Sequence, residues 1–170
     1  MSPLLLQSLT AFLVTLLGIF VFAPIAPYLK LVDFPNPRKT HRGEVPLVGG
    51  IAIFLALVVG AILWGDDYET VITANGNEAL WIFVGSSGLL TLVGILDDRF
   101  KLGVSIRVLC EILVALVVIE SLELNLTNIG ALFGETPIKI PSAVAYPLTV
   151  VAIVGFINAF NMLDGMDGLL

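Results

Sequence analysis

The sequence predicts an all-α polytopic membrane protein of about five transmembrane helices with the N-terminus outside, and three observations carry that prediction. Of the 170 residues, 58% are hydrophobic and only 13% are charged, and the mean hydropathy of +1.03 belongs to a chain solvated by lipid. The apolar residues gather into runs near the ~20 residues that a helix needs to cross the hydrocarbon. The basic residues fall into alternate connections between those runs, as cytoplasmic loops require.

The first run extends from Leu4 to Ala26 and is closed by Pro24 and Pro27. The second spans Leu47 to Trp64 and the third Ala79 to Leu96. The fourth, Ser105 to Ser121, is interrupted by Arg107, Glu111 and Glu120, and the fifth runs from Ala143 to Met162. Arg107 and Glu111 stand four apart on one helix face and are expected to pair. Lys30 is the first basic residue, so the opening run lacks the positive flank of a cleaved leader and is expected to be kept as a span.

Sidedness follows from Lys and Arg. The connection after the first run holds Lys30, Arg38, Lys39 and Arg42; the turn after the third holds Arg99 and Lys101, with Arg107 close by. The connection after the second carries Asp66, Asp67, Glu69 and Glu78, and that after the fourth carries Lys139 as its one basic residue. Alternation places the end of the chain inside. The outer connection over 122–141 alternates Leu124, Leu126, Ile138 and Ile140 around Gly134-Glu135 and predicts a short external β-hairpin. The lone Cys110 excludes an intramolecular disulfide and a thiolate metal cluster. No repeat or linker divides residues 1–170, which read as one membrane domain, and no nucleic-acid partner is expected.

Three polar clusters remain, and the predicted topology sends all of them to the inner face: Arg38-Lys39-Thr40-His41-Arg42, Asp97-Asp98, and the ladder Asn158, Asn161, Asp164-Gly165, Asp167-Gly168. An acidic pair closing a span has a plain explanation in neutralisation by Arg99 and Lys101. Yet a helix C-terminus disfavours anions, so the pair has the wrong sign for stability alone and suits a divalent cation or a reaction better. Steps of three turn successive side chains by about 60°, so Asn158, Asn161 and Asp164 share a broad face. Single Asn residues often glue membrane helices together; two Asn and two Asp within ten residues exceed that need. Their oxygens suit a hard cation such as Mg²⁺, with Mn²⁺ as the alternative. The basic cluster serves as a topology signal, as a lipid-headgroup contact or as a phosphate contact.

Taken together, Pro37-Arg38-Lys39-Thr40-His41 with Pro46-Leu47-Val48-Gly49-Gly50, then Gly94-Ile95-Leu96-Asp97-Asp98-Arg99, then Asn158-Ala159-Phe160-Asn161-Met162-Leu163-Asp164-Gly165-Met166-Asp167-Gly168-Leu169, resemble the signature of the polyprenyl-phosphate N-acetylhexosamine-1-phosphate transferases of glycosyltransferase family 4 type. The first element is most similar to the undecaprenyl-phosphate N-acetylglucosamine-1-phosphate branch. The resemblance implies transfer of a sugar phosphate from a UDP-N-acetylhexosamine to a polyprenyl phosphate, with release of UMP, at the cytoplasmic face of a bacterial plasma membrane. It implies Asp97 and Asp98 as the catalytic pair, Asn161 and Asp164 at the metal, and Lys39, His41, Lys101, Asn158 and Asp167 at substrate. It allows a homodimer. Family members are about twice as long and carry a further Asp and a His-rich inner loop, so this stretch reads as the N-terminal part of a longer transferase, inactive by itself.

Two other classes compete. CDP-alcohol phosphotransferases need Asp-Gly followed by Ala-Arg, whereas Met166-Asp167 follows here. An ion transporter needs charges at mid-bilayer, a place that only Glu111 and Glu120 suit.

Overall fold

The computed structural model describes residues 2–33, 43–65, 76–131, 134 and 137–163, and it is mostly helical. The chain divides into two compact units, Met1–Gly103 and Val104–Leu170.

The first unit opens with α1, Pro3–Phe22, whose Pro3 occupies the first turn where its missing N–H is not needed. The helix stops at Phe22, several residues short of the expected Ala26, because Pro24 has no N–H to continue the ladder and its ring crowds the preceding turn. A single turn, α2 (Ala26–Leu29), follows and is capped by Lys30 at φ 59°. The strands β1 (Val32–Asp33) and β2 (Val45–Pro46) then pair antiparallel, Val32 opposite Pro46 and Asp33 opposite Val45. Their pairing is extended by the Leu47 N–H donating to the Leu31 carbonyl at 2.9 Å. This small sheet was not expected from sequence, since two-residue strands carry no periodicity.

The helices α3 (Gly49–Trp64) and α4 (Gly76–Phe100) complete the unit. α1 packs on α3 through small residues: a Cβ on buried Gly18 would stand 3.1 Å from the Cβ of Ala52. Close backbone approach of this kind is how helices associate in lipid, where apolar burial gives no drive. α3 meets α4 around Ala61, Leu80 and Val84, with Phe54 lying against them. Gly88 makes room for the Phe54 ring, which a Cβ would approach to 2.8 Å. Leu4, Phe12, Leu17 and Phe20 face outward, as a lipid-facing surface should.

A second cluster has the larger consequence for function. Ala26, Leu31 and Val48 are buried together, and Ile95 of α4 packs against them. The base of the first connection is therefore held beside the last turns of α4.

The second unit consists of α5 (Val104–Leu122) and α6 (Ser142–Leu163), which pack on each other. The buried stripe of α5 is Glu111, Val114, Ala115, Ile119 and Leu122, the helical spacing of one face. Between the helices an antiparallel bridge joins Asn128 to Lys139. Ile129 N–H donates to the Ile138 carbonyl at 3.1 Å and Ile138 N–H to the Gly130 carbonyl at 3.0 Å. The expected hairpin is thus present in short form. It is tied to α6 by buried Thr149, whose hydroxyl accepts from Leu126 N–H at 2.9 Å and donates to the Ala145 carbonyl at 2.7 Å.

Five helices of 16 to 25 residues occupy the five expected runs among the described residues. Three, Pro3–Phe22, Glu78–Phe100 and Ser142–Met162, are long and apolar enough to cross a membrane. The 16 residues of α3 cover about 24 Å at 1.5 Å each, short of the ~30 Å hydrocarbon. α5 carries three charged residues, Arg107, Glu111 and Glu120.

Candidate functional site

In the first unit the candidate residues Asp97, Asp98 and Lys101 stand at the end of α4. The apolar run stops at Leu96, but the helix continues to Phe100, so Asp97 and Asp98 project from its last turn, about 100° apart. Both are half-buried. What stops the helix is Lys101: its backbone enters the left-handed region at φ 53° and its N–H donates to the Asp97 carbonyl at 2.7 Å, the capping bond of a helix C-terminus. Lys101 is exposed and follows the carboxylate pair directly at the end of the helix. The Arg99 guanidinium lies over the Phe100 ring, 5.3 Å from its centroid, a cation–π arrangement.

The carboxylates sit where the helix dipole disfavours them, and two packed elements hold the spot. Ile95 anchors α4 to the cluster of Ala26, Leu31 and Val48. The β1–β2 pairing closes the base of the connection that carries Lys39 and His41. Lys39 and His41 themselves lie outside the described residues. The structure thus brings the ends of their connection to the carboxylate end of α4.

In the second unit, Asn158 and Asn161 occupy the last turns of α6. Asn161 is exposed and Asn158 is half-buried. The Asn158 amide nitrogen donates to the Glu111 Oε2 and to the Val154 carbonyl at 2.9 Å. Asp164 and Asp167, the remaining members of the ladder, lie outside the described residues.

Glu111 has a contact that sequence reasoning did not anticipate. The expectation of Arg107 as its partner, one turn earlier, did not include Asn158 on the neighbouring helix, whose amide donates to it. The available signal was its position at the head of the stripe continued by Val114, Ala115 and Ile119, which marks it as inward-facing. Among the described residues no group of three or more His, Cys, Asp or Glu side chains gathers as a metal-ligand set. The donors present are carboxylate and amide oxygens, the type that Mg²⁺ takes in ones and twos while phosphate and water fill its octahedron.

A family model for glycosyl transferase family 4 matches residues 80–170, more than half of the chain. The chain belongs to glycosyl transferase family 4. The matched segment of this family-4 chain begins in α4 and takes in Asp97, Asp98 and the whole Asn/Asp ladder. The undecaprenyl-phosphate alpha-N-acetylglucosaminyl 1-phosphate transferase of Yersinia pestis is 37% identical over 159 residues, which is 94% of this chain and 41% of the relative. The enzyme of the same name from Escherichia coli K12 is 35% identical over 164 residues, 95% of the chain and 41% of the relative. A probable undecaprenyl-phosphate N-acetylglucosaminyl 1-phosphate transferase of Bacillus subtilis is 34% identical over 170 residues, 97% of the chain and 44% of the relative. The family-4 chain therefore spans about two fifths of the length of these relatives. No solved structure matches it.

Proposed function

We propose that the complete protein carrying this chain transfers N-acetylglucosamine-1-phosphate from a UDP-sugar to undecaprenyl phosphate at the cytoplasmic face of a bacterial plasma membrane, releasing UMP. The observation that supports it most is the end of α4: two half-buried carboxylates in the last turn, with Lys101 capping it, packed through Ile95 against the base of the basic connection, in a segment that matches family 4. The names of the relatives supply the sugar and the lipid, and the same match favours a transferase over a CDP-alcohol enzyme or an ion-moving bundle.

In this reaction an oxygen of the lipid phosphate attacks the sugar-bearing phosphorus of the UDP-sugar, the bond from that phosphorus to the UMP oxygen breaks, and UMP leaves. A phosphate monoester with its second pKa near ~6 is already mostly dianionic at neutral pH, so the attack needs little help from a general base. Positioning and charge neutralisation dominate, as in phosphoryl transfer generally. Asp97 and Asp98 orient the lipid phosphate, Lys39, His41 and Lys101 neutralise phosphate oxygens, and Asn158 and Asp167 hold the nucleotide. Asn161 and Asp164 are the residues that would hold Mg²⁺, which when bound supplies charge to the diphosphate.

The test is UMP release by the purified complete protein in phospholipid vesicles. Release that needs undecaprenyl phosphate, UDP-N-acetylglucosamine and Mg²⁺ together, and that falls on the order of 10²-fold in Asp97→Asn and Asp98→Asn, supports the reading. Release indifferent to the lipid, or unchanged in both variants, overturns it.

A further inference from the structure

The buried Glu111 is an ionisable side chain that the transfer reaction as written does not use. It is 5% exposed, on a face whose other members are Val114, Ala115, Ile119 and Leu122. An ionisable group among apolar helices is expensive to keep, and such residues are retained for function more often than for packing.

Its geometry shows what it does. An amide side chain has two N–H donors and one acceptor oxygen. At Asn158 the nitrogen meets two acceptors, the Glu111 Oε2 and the Val154 carbonyl oxygen. Turning the amide over would set its oxygen against both of them and lose both bonds. The Glu111 Oε2 and the Val154 carbonyl both accept from the amide nitrogen, so together they admit one orientation of the amide, with the nitrogen inward against α5 and the oxygen on the opposite edge. A glutamine at 111 would give the same bond through its own oxygen.

We propose that Glu111 is a positioning residue for sugar-phosphate transfer, locking the Asn158 amide so that its oxygen, and not its nitrogen, is presented to substrate. The inference rests on the transfer reading above. It assigns Asn158 the part of an acceptor: it takes a hydrogen bond from a hydroxyl or N–H of the sugar nucleotide, or from a water on a bound cation, and it does not donate to a phosphate. The orienting bond lies between α5 and α6, one turn before Asn161 on the same helix.

The experiment uses the complete protein in phospholipid vesicles, with UMP release measured against UDP-N-acetylglucosamine for wild type, Glu111→Gln, Glu111→Leu, Asn158→Ala and the double variant Glu111→Leu/Asn158→Ala. Glu111→Leu is expected to lower kcat/KM by about tenfold or more, the usual loss when a residue that orients a ligating group is removed. Glu111→Gln should retain activity within about threefold, and the double variant should be no worse than Asn158→Ala, because the two residues act as one unit. Thermal unfolding of the same set separates this from a packing role, which would give losses that add and that follow the melting temperature. Wild-type kcat/KM in Glu111→Leu, or additive losses in the double variant, overturns the positioning role while leaving the transfer reading intact. Absence of UMP release from the wild type would overturn both.

Discussion

Among the described residues, three with side chains occupy left-handed backbone: Lys30 at φ 59°, Lys101 at φ 53° and Glu123 at φ 51°. Each ends a helix, where glycine is the usual choice because an L-side chain there costs roughly 1–2 kcal/mol. Replacement by glycine should accordingly stabilise the protein by about 0.5–1 kcal/mol at Lys30 and Glu123, read as a higher midpoint of denaturant unfolding. Lys101 is the informative member of the trio. Lys101→Gly keeps the bond from the backbone N–H to the Asp97 carbonyl and relieves the same strain, yet removes the ammonium group that the transfer reading assigns to phosphate. We expect unfolding to shift upward while UMP release falls on the order of tenfold, the loss of one electrostatic contact to a phosphate. Unchanged release would take Lys101 out of the site and leave it a cap. At this scale the carboxylate pair and the amide ladder were legible in the sequence, because polar residues at the edge of apolar runs are conspicuous. The bond from Asn158 to Glu111 was not, because the i,i+4 spacing of Arg107 and Glu111 points along one helix and says nothing of its neighbour.

At the scale of elements, the helices could be read from run length and hydropathy, but their ends could not. The hydropathic edge marks where lipid stops, whereas the helix stops where a cap stops it, which for α4 is at Lys101 and for α1 is before Pro24. Packing between the helices depends on small residues and is open to direct test. Gly18→Leu should force α1 and α3 apart, since even a Cβ reaches to 3.1 Å from Ala52, and should lower stability by about 1–3 kcal/mol or more. Gly60→Leu is the control: nothing lies within 4 Å of its added Cβ, so unfolding should change much less. Thr149→Val removes the hydroxyl joining α6 to the 122–141 connection and leaves the Leu126 N–H without that acceptor. A loss of about 1–3 kcal/mol is expected, measured by the same unfolding transition.

For the whole molecule the outstanding prediction is sidedness. With Cys110 changed to serine, a cysteine introduced as Lys101→Cys should react with a membrane-impermeant maleimide only from the cytoplasmic side, and one introduced as Lys139→Cys only from the outside. Labelling of both from one side would overturn the alternating arrangement and the cytoplasmic assignment of Asp97 and Asp98. The seven basic residues gathered in or beside the expected inner connections are the basis of this prediction. Within the first unit the structure adds support that composition lacks: the base of the basic connection and the carboxylate end of α4 are packed together through Ile95.

The sequence by itself determined that this chain lives in lipid and where its helices run, since both are written in local composition and spacing. Only the tertiary structure decided that Ile95 docks on Ala26, Leu31 and Val48, and that Glu111 holds the amide of Asn158. The reason is physical: in a soluble helix the apolar stripe announces the buried face, but in a membrane lipid and protein interior are equally apolar. Which side of such a helix meets its neighbour is therefore settled by small residues and single hydrogen bonds, whose partners appear only when the helices are set side by side.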